Sequence, residues 1–293
     1  MERWAGRVAV VTGASAGIGA SIVTALVDHG MIVIGLARRV ELVKELAKKL
    51  LNHKGVLYAL KADVSKEEDV VAAFDWIQQS FGVVHVLINN AGYAPFTSIS
   101  KPEPTRVHPS SGALIDNILT NIESELIATK VYPTDLVQKE EYKKIHTCFN
   151  TNVMGVIMCT NKAIKIMRES EIDRGHIINI NSVVGHYVTN NTGFFAYNAS
   201  KNALTVVTEG VCQELREAKS KIRVTSISPG FVTSEMGITS GIPNLEELIA
   251  KHPFLDANNV TESVIHALSA PPNVQVAEVV VRPIGEKTQH SVK

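Results

Sequence analysis

The stretch that decides the fold is Val8-Ala9-Val10-Val11-Thr12-Gly13-Ala14-Ser15-Ala16-Gly17-Ile18-Gly19. Its first five residues are nearly all apolar and β-branched, the mark of a strand buried on both faces. Glycines then permit a sharp turn, and residues 17–29 carry a helical pattern. In the order strand, glycine turn, helix, such a motif suits phosphate. Glycine lets the main chain approach a pyrophosphate, and the helix start offers free N–H groups and a partial positive charge. Gly13, Ser15, Gly17, Ile18 and Gly19 are therefore candidate cofactor contacts. The plainer explanation is a glycine turn that only packs a helix on a strand.

The same alternation continues along the chain. Residues 31–36, 56–61, 84–88, 176–181, 222–228 and 275–281 read as further strands. Helical patterns fall at 40–52, 66–80, 138–168, 197–218 and 259–269. Repeated strand–helix units joined by right-handed crossovers predict an α/β fold: one doubly wound sheet of about seven parallel strands, with helices on both faces. All 293 residues are expected in one domain. One stretch breaks the rhythm. Residues 97–134 read as an insert with a Pro- and Ser-rich start and an amphipathic helix over 113–130, and loops of that length are functional or disordered.

Composition excludes several classes. Lys+Arg and Asp+Glu both number 29, so the formal charge is zero and no basic block offers a nucleic-acid footprint. Cys148, Cys159 and Cys212 are too few for a disulfide framework and lack metal-ligand spacing. No metal is expected. They fit a reducing compartment, and a cytoplasmic location is expected. No apolar run approaches the length of a membrane span, and no signal-peptide core follows the N-terminus.

The second strand ends Leu36-Ala37-Arg38-Arg39. An NAD binder needs an acid there for the ribose hydroxyls, whereas arginine can grip a 2′-phosphate in two-pronged fashion. The expected cofactor is NADP(H), with Arg38 the main contact and Arg39 a helper. Glu41 is assigned instead to the first turn of the next helix. Tyr197 and Lys201 stand one helical turn apart. An ammonium beside a phenol favours phenolate, which predicts a lowered Tyr197 pKa and a usable acid/base. Ser182 ends the fifth strand, fifteen residues earlier, and could hold a substrate oxygen. Asn152, a poor helix former in mid-helix, suggests a dedicated hydrogen-bonding task such as holding a water, with Asn150 as rival. Asn90, Ala91 and Gly92 close the fourth strand, and Pro229 and Gly230 follow the sixth, all at the edge where cofactors bind. Asp63 could accept from an adenine amino group or serve as a helix cap.

Together these motifs resemble the short-chain dehydrogenase/reductase family over nearly the whole chain, and a Rossmann-type sheet is implied. The resemblance implies roles: Tyr197 the acid/base, Lys201 its tuner and a ribose contact, Ser182 the carbonyl polariser, and Asn152 the holder of a relay water. It further implies that Asn90 lines the adenosine ribose, that Val64 and Val232 line the cofactor, and that Thr233 contacts its nicotinamide end. Met1-Glu2-Arg3-Trp4, the Leu-Ala-Arg-Arg strand end, residues 176–182 and Arg282-Pro283 look like the insect farnesol dehydrogenases within that family. The implied reaction is oxidation of an apolar alcohol, farnesol to farnesal, or its reverse. A steroid or general carbonyl reductase is the alternative, and a non-catalytic cofactor sensor the second. An apolar lid is expected over 233–256, with Met236, Phe254 and Leu255 among its residues. A homodimer or homotetramer is implied.

Overall fold

The computed structural model describes residues 1–97, 139–188, 193–233, 236 and 253–286. Seven strands form one parallel sheet: β1 Val8–Thr12, β2 Ile32–Ala37, β3 Val56–Lys61, β4 Val86–Asn89, β5 His176–Ile180, β6 Arg223–Pro229 and β7 Glu278–Val281. Their order is β3-β2-β1-β4-β5-β6-β7. The chain runs outward from β1 to β3, then returns to place β4 on β1's other side. The crevice between β1 and β4 is thus the point where ligands bind in such sheets.

The inner strands alternate their side chains between two apolar layers. Ala9, Val11, Val86, Ile88, Ile178 and Ile227 face one core. It is covered by helices α1 (Gly17–Asp28) and, once the helices are numbered through, α7 (Ala257–Ser269). Val8, Val10, Leu87, Ile177 and Val224 face the other, shared with Phe74, Ile77, Ala163 and Met167. Those partners come from α3 (Glu67–Phe81) and α5 (Gly155–Glu169), between which lies α4 (Lys139–Phe149). Burial on both faces explains the unbroken apolar runs in the sequence. The two edge strands, β3 and β7, are the ones that keep exposed positions, Val56, Tyr58 and Val280 among them. Helix α2 spans Val40–Lys49 with Glu41 in its first turn, and α6 spans Phe195–Glu217.

Two expectations meet the structure differently. The pattern over 138–168 predicts one continuous helix, but a π turn at Asn150–Met154 separates α4 from α5. The insert at 97–134 and its helix at 113–130 lie outside the described residues except for Thr97. Most of the lid at 233–256 lies outside them too, leaving Thr233, Met236 and residues 253–256.

Candidate active site

The C-terminal ends of the strands carry the site. After β1, Gly13 takes φ +68° and Gly17 φ +53°, a left-handed region that favours glycine. A Cβ on Gly13 would stand 2.8 Å from Ala91 Cα, and one on Gly19 would run into the Gly13 carbonyl oxygen. The loop is therefore pulled tight against the end of β4. Asn90 holds it there: its Nδ2 donates to the carbonyls of Thr12 (2.9 Å) and Gly13 (3.2 Å). Thr12 Oγ1 accepts the main-chain N–H groups of Asn90 and Ala91, both at 3.0 Å. Helix α1 begins after Ala16, which supplies no side-chain cap, and its first turn holds no acid. A bare main-chain cradle at a positive helix end fits the pyrophosphate of a dinucleotide.

Arg38 and Arg39 are exposed at the end of β2. The Arg39 guanidinium donates to Ser15 Oγ at 3.4 Å, which joins the strand end to the glycine loop. Asp63 follows β3, and its Oδ1 accepts the N–H (3.0 Å) and hydroxyl (2.7 Å) of Ser65. Asp63 thus closes a local turn; the helix that follows has Lys66 at its N-cap, so the helix-cap alternative is not what Asp63 does. Val64 is buried, its carbonyl packed against Gly155 at the head of α5.

Ser182, Tyr197 and Lys201 converge beyond β5. The Ser182 and Tyr197 side chains are hydrogen-bonded to each other. Lys201 is buried, and its Nζ donates to the Ile180 carbonyl at 2.8 Å while lying 5.8 Å from the centre of the Tyr197 ring. The helical spacing of Tyr197 and Lys201 predicts a lowered phenol pKa. In this geometry burial wins: it pushes Tyr197 up to about 12, the Ser182 hydrogen bond opposing, and it pushes Lys201 down to about 8. The reason is distance and solvation. Nζ is bonded to a carbonyl rather than to the phenol oxygen, so desolvation of each charged form dominates. Tyr197 is then a neutral phenol, a proton donor.

Asn152 sits within the π turn and is 1% exposed. Its Oδ1 accepts the Tyr93 N–H at 2.8 Å, and its Nδ2 donates to the Tyr93 carbonyl and to Ser200 Oγ, both at 2.9 Å. The side chain thus brackets the main chain of Tyr93. Apart from it, along the inner strands and the later turns of α6, lies a second buried polar lattice that the sequence patterns do not reveal. Asn89 Nδ2 donates to Thr160 and to Asn179, and Asn179 donates to Thr208. Asn181 donates to Thr205, whose hydroxyl lies against the carbonyls of Gly185 and Lys201. The signal was present in amides placed within otherwise apolar strands, since a buried amide requires partners. Their partners, however, are ordinary-looking threonines far along the chain.

Pro229 ends β6, and Gly230 lies so close to Glu286 that a Cβ would meet its carboxylate at 2.6 Å. Val232 bridges to Leu255, and Thr233 Oγ1 donates to the Leu255 carbonyl at 3.2 Å. Met236 Cε would be 3.1 Å from a Cβ on Gly92, so this residue reaches over the end of β4.

The short chain dehydrogenase family model matches residues 7–140 and 128–242. The chain belongs to that family. It is 41% identical over 290 residues to farnesol dehydrogenase of Aedes aegypti, covering 98% of this chain and all of that one. It is 39% identical over 288 residues to dehydrogenase/reductase SDR family member 11 of Gallus gallus, covering 97% and 98%. Among solved structures, an alcohol dehydrogenase from the archaeon Thermococcus sibiricus complexed with 5-hydroxy-NADP superposes with a TM-score of 0.72. The two are 21% identical, with 97% and 99% of the chains covered. That likeness speaks to the fold. The protein is an oxidoreductase of alcohols and carbonyls in a family that uses NAD(P)(H). Among the described residues no helix is long and apolar enough to cross a membrane.

Proposed function

We propose that this family member is an NADP(H)-dependent oxidoreductase that interconverts an apolar alcohol and its aldehyde or ketone, with farnesol and farnesal the pair that fits best. The observation that carries the chemistry is the meeting of Ser182, Tyr197 and Lys201 beside the glycine cradle. When bound, the nicotinamide supplies or accepts a hydride. Gly13 to Gly19 hold the pyrophosphate by main-chain N–H groups, Arg38 and Arg39 hold the 2′-phosphate, and Lys201 holds the nicotinamide ribose. Ser182 donates to the substrate oxygen. Tyr197, a neutral phenol, gives that oxygen its proton in reduction and takes it back in oxidation.

Asn152 needs a refined role. With its side chain occupied by Tyr93 and Ser200, Asn152 would hold a water through its main-chain carbonyl, within the π turn. Asp63, Val64, Asn90, Ala91, Gly92, Pro229, Gly230, Val232 and Thr233 complete the cofactor wall.

Substrate choice rests on two supports. The Aedes aegypti relative is named for farnesol, and Met236, Pro253, Phe254 and Leu255 are apolar among the described lid residues, with Phe254 lying 5.8 Å from Phe231, centroid to centroid. NADPH formation across farnesol, geraniol, short alcohols and hydroxysteroids is the test. Farnesol should give the highest kcat/KM. A hydroxysteroid ahead of it would favour the reductase alternative, and cofactor binding without turnover of any alcohol would favour a sensor.

A further inference from the structure

We infer that Ser200 is a positioning residue for Tyr197. The inference rests on the proposed role of Tyr197 and adds a residue to it. Ser200 is fully buried on α6, one residue before Lys201. Its hydroxyl donates to the Tyr197 carbonyl at 2.7 Å and accepts from Asn152 Nδ2 at 2.9 Å. The thiol of Cys148 lies 3.6 Å away, and it also faces the Tyr93 carbonyl at 3.3 Å. One oxygen atom therefore sits between three elements: the first turn of α6, the π turn, and the end of α4, while Asn152 and Cys148 carry the contact on to Tyr93 in the chain leaving β4.

The chain of contacts has a direction. Tyr93 follows Gly92 at the end of the cofactor wall. Asn152 binds the Tyr93 main chain twice, accepting from its N–H and donating to its C=O. Ser200 takes the remaining donor of Asn152 and passes the constraint to the Tyr197 main chain. The phenol's location relative to the cofactor wall is thus set through a hydroxyl that touches neither substrate nor cofactor. Without it, α6 keeps its helical bonds, but nothing polar ties its first turn to Asn152. Small displacements of a reacting group are costly, a 1 Å error reaching about a hundredfold in rate.

The same helix provides a control. Thr208, two turns on, repeats the arrangement away from the site: its hydroxyl donates to the Leu204 carbonyl at 2.7 Å and accepts from Asn179 Nδ2 at 2.9 Å. Ser200→Ala and Thr208→Val each remove one buried hydroxyl with matched bonds. Four quantities are compared: kcat, its pH profile, the Kd for NADPH by nucleotide fluorescence, and the melting temperature.

Ser200→Ala should lower kcat about tenfold and displace the pH profile, because the burial of the phenol and its hydrogen bond to Ser182 govern its protonation and both depend on where the first turn of α6 sits, while Kd stays within about twofold of wild type. Ser200→Cys, whose thiol can still accept from Asn152, should recover part of the loss. Thr208→Val should lower the melting temperature and leave kcat and its pH profile in place. Wild-type kcat and pH profile in Ser200→Ala would overturn the assignment, as would an equal kcat loss in Thr208→Val. If Ser200→Ala does not fold, Ser200→Cys decides by the same readouts, and wild-type values overturn the assignment. Tyr197→Phe, run alongside, separates the two ideas: if it turns over normally, the reading of Tyr197 fails. If it is dead while Ser200→Ala is normal, only the present inference fails.

Discussion

Acid should unfold this protein through two buried histidines, and the larger contribution belongs to His176. Its ring is fully buried at the start of β5, with Nε2 on Thr225 Oγ1 at 2.8 Å and Nδ1 lacking a partner. Burial, with Arg223 and Arg3 nearby, lowers its pKa from 6.5 to about 3. His85 is similar: Nδ1 accepts the Val8 N–H, so the neutral ring's proton sits on Nε2, 3.2 Å from the Arg7 guanidinium. Its pKa falls to about 4, first by burial and then by Arg7. The sign follows. An unfolded histidine takes a proton below pH 6.5, whereas the folded rings stay neutral down to about 4 and about 3. The unfolded state binds more protons in that window, so stability is full above pH 6.5 and drains as pH falls. At about 1.36 kcal/mol per unit, each histidine removes about 2 kcal/mol between pH 7 and pH 5. That is a large share of the roughly 5–15 kcal/mol that holds a typical domain together. His176→Leu isolates the larger one, because Thr225 Oγ1 keeps the Val276 carbonyl as its acceptor at 2.6 Å. Urea unfolding followed by circular dichroism at pH 7, 6 and 5, at fixed ionic strength, reads the difference. The variant should lose about 2 kcal/mol less than wild type over that range. Equal losses in both proteins would refute the reasoning.

Three further outcomes are expected. Tyr197→Phe should cut kcat by roughly 10²- to 10⁴-fold while NADPH still binds, since the proton donor goes and the cofactor contacts stay; near-normal turnover would remove Tyr197 from its role. Arg38→Asp should raise the KM for NADP by roughly ten- to a hundredfold, the worth of a charge-assisted bond, and relax discrimination against NAD. A wild type that already prefers NAD would sink the cofactor assignment. Gly19→Ala forces a methyl group into the Gly13 carbonyl and the Asn90 amide and should raise the KM for NADPH about tenfold or more; an unchanged KM would mean the loop is not the cradle described.

The fold was legible because strands buried on two faces write themselves as unbroken apolar runs. Val8–Thr12 and His176–Ile180 are buried throughout, and both stand out in the sequence. Tyr197 and Lys201 were legible because a fixed spacing on a helix puts them on one face. What the sequence hid falls into three kinds. A π turn and an α-helix have the same composition, so the break at Asn150–Met154 left no trace beyond an ill-suited asparagine. The balance between burial and Coulomb attraction at Tyr197 depends on where Nζ points, and Nζ points at Ile180. The hydroxyls of Ser200, Thr205 and Thr208 were invisible for a third reason: nothing local distinguishes a serine or threonine that back-bonds to its own helix from one that also accepts from a distant amide.

The π turn also fixes how this region can tolerate changes in length. It uses one residue more than an α-turn would, and each residue of a helix advances the face by about 100°. Deleting a single residue between Asn150 and Met154 would let α4 and α5 fuse into one regular helix, a locally comfortable outcome. Because the π turn spends its extra residue within a single turn, that deletion would leave α4 and α5 in nearly the same helical phase, with Cys159, Ala163 and Met167 still locked in the core. What would go is the bulge itself, and with it the placement of Asn152 against Tyr93 and Ser200. A one-residue change in the regular part of either helix has no bulge to absorb it and would turn α4 by about 100° against α5. Length is therefore negotiable only where the site is built.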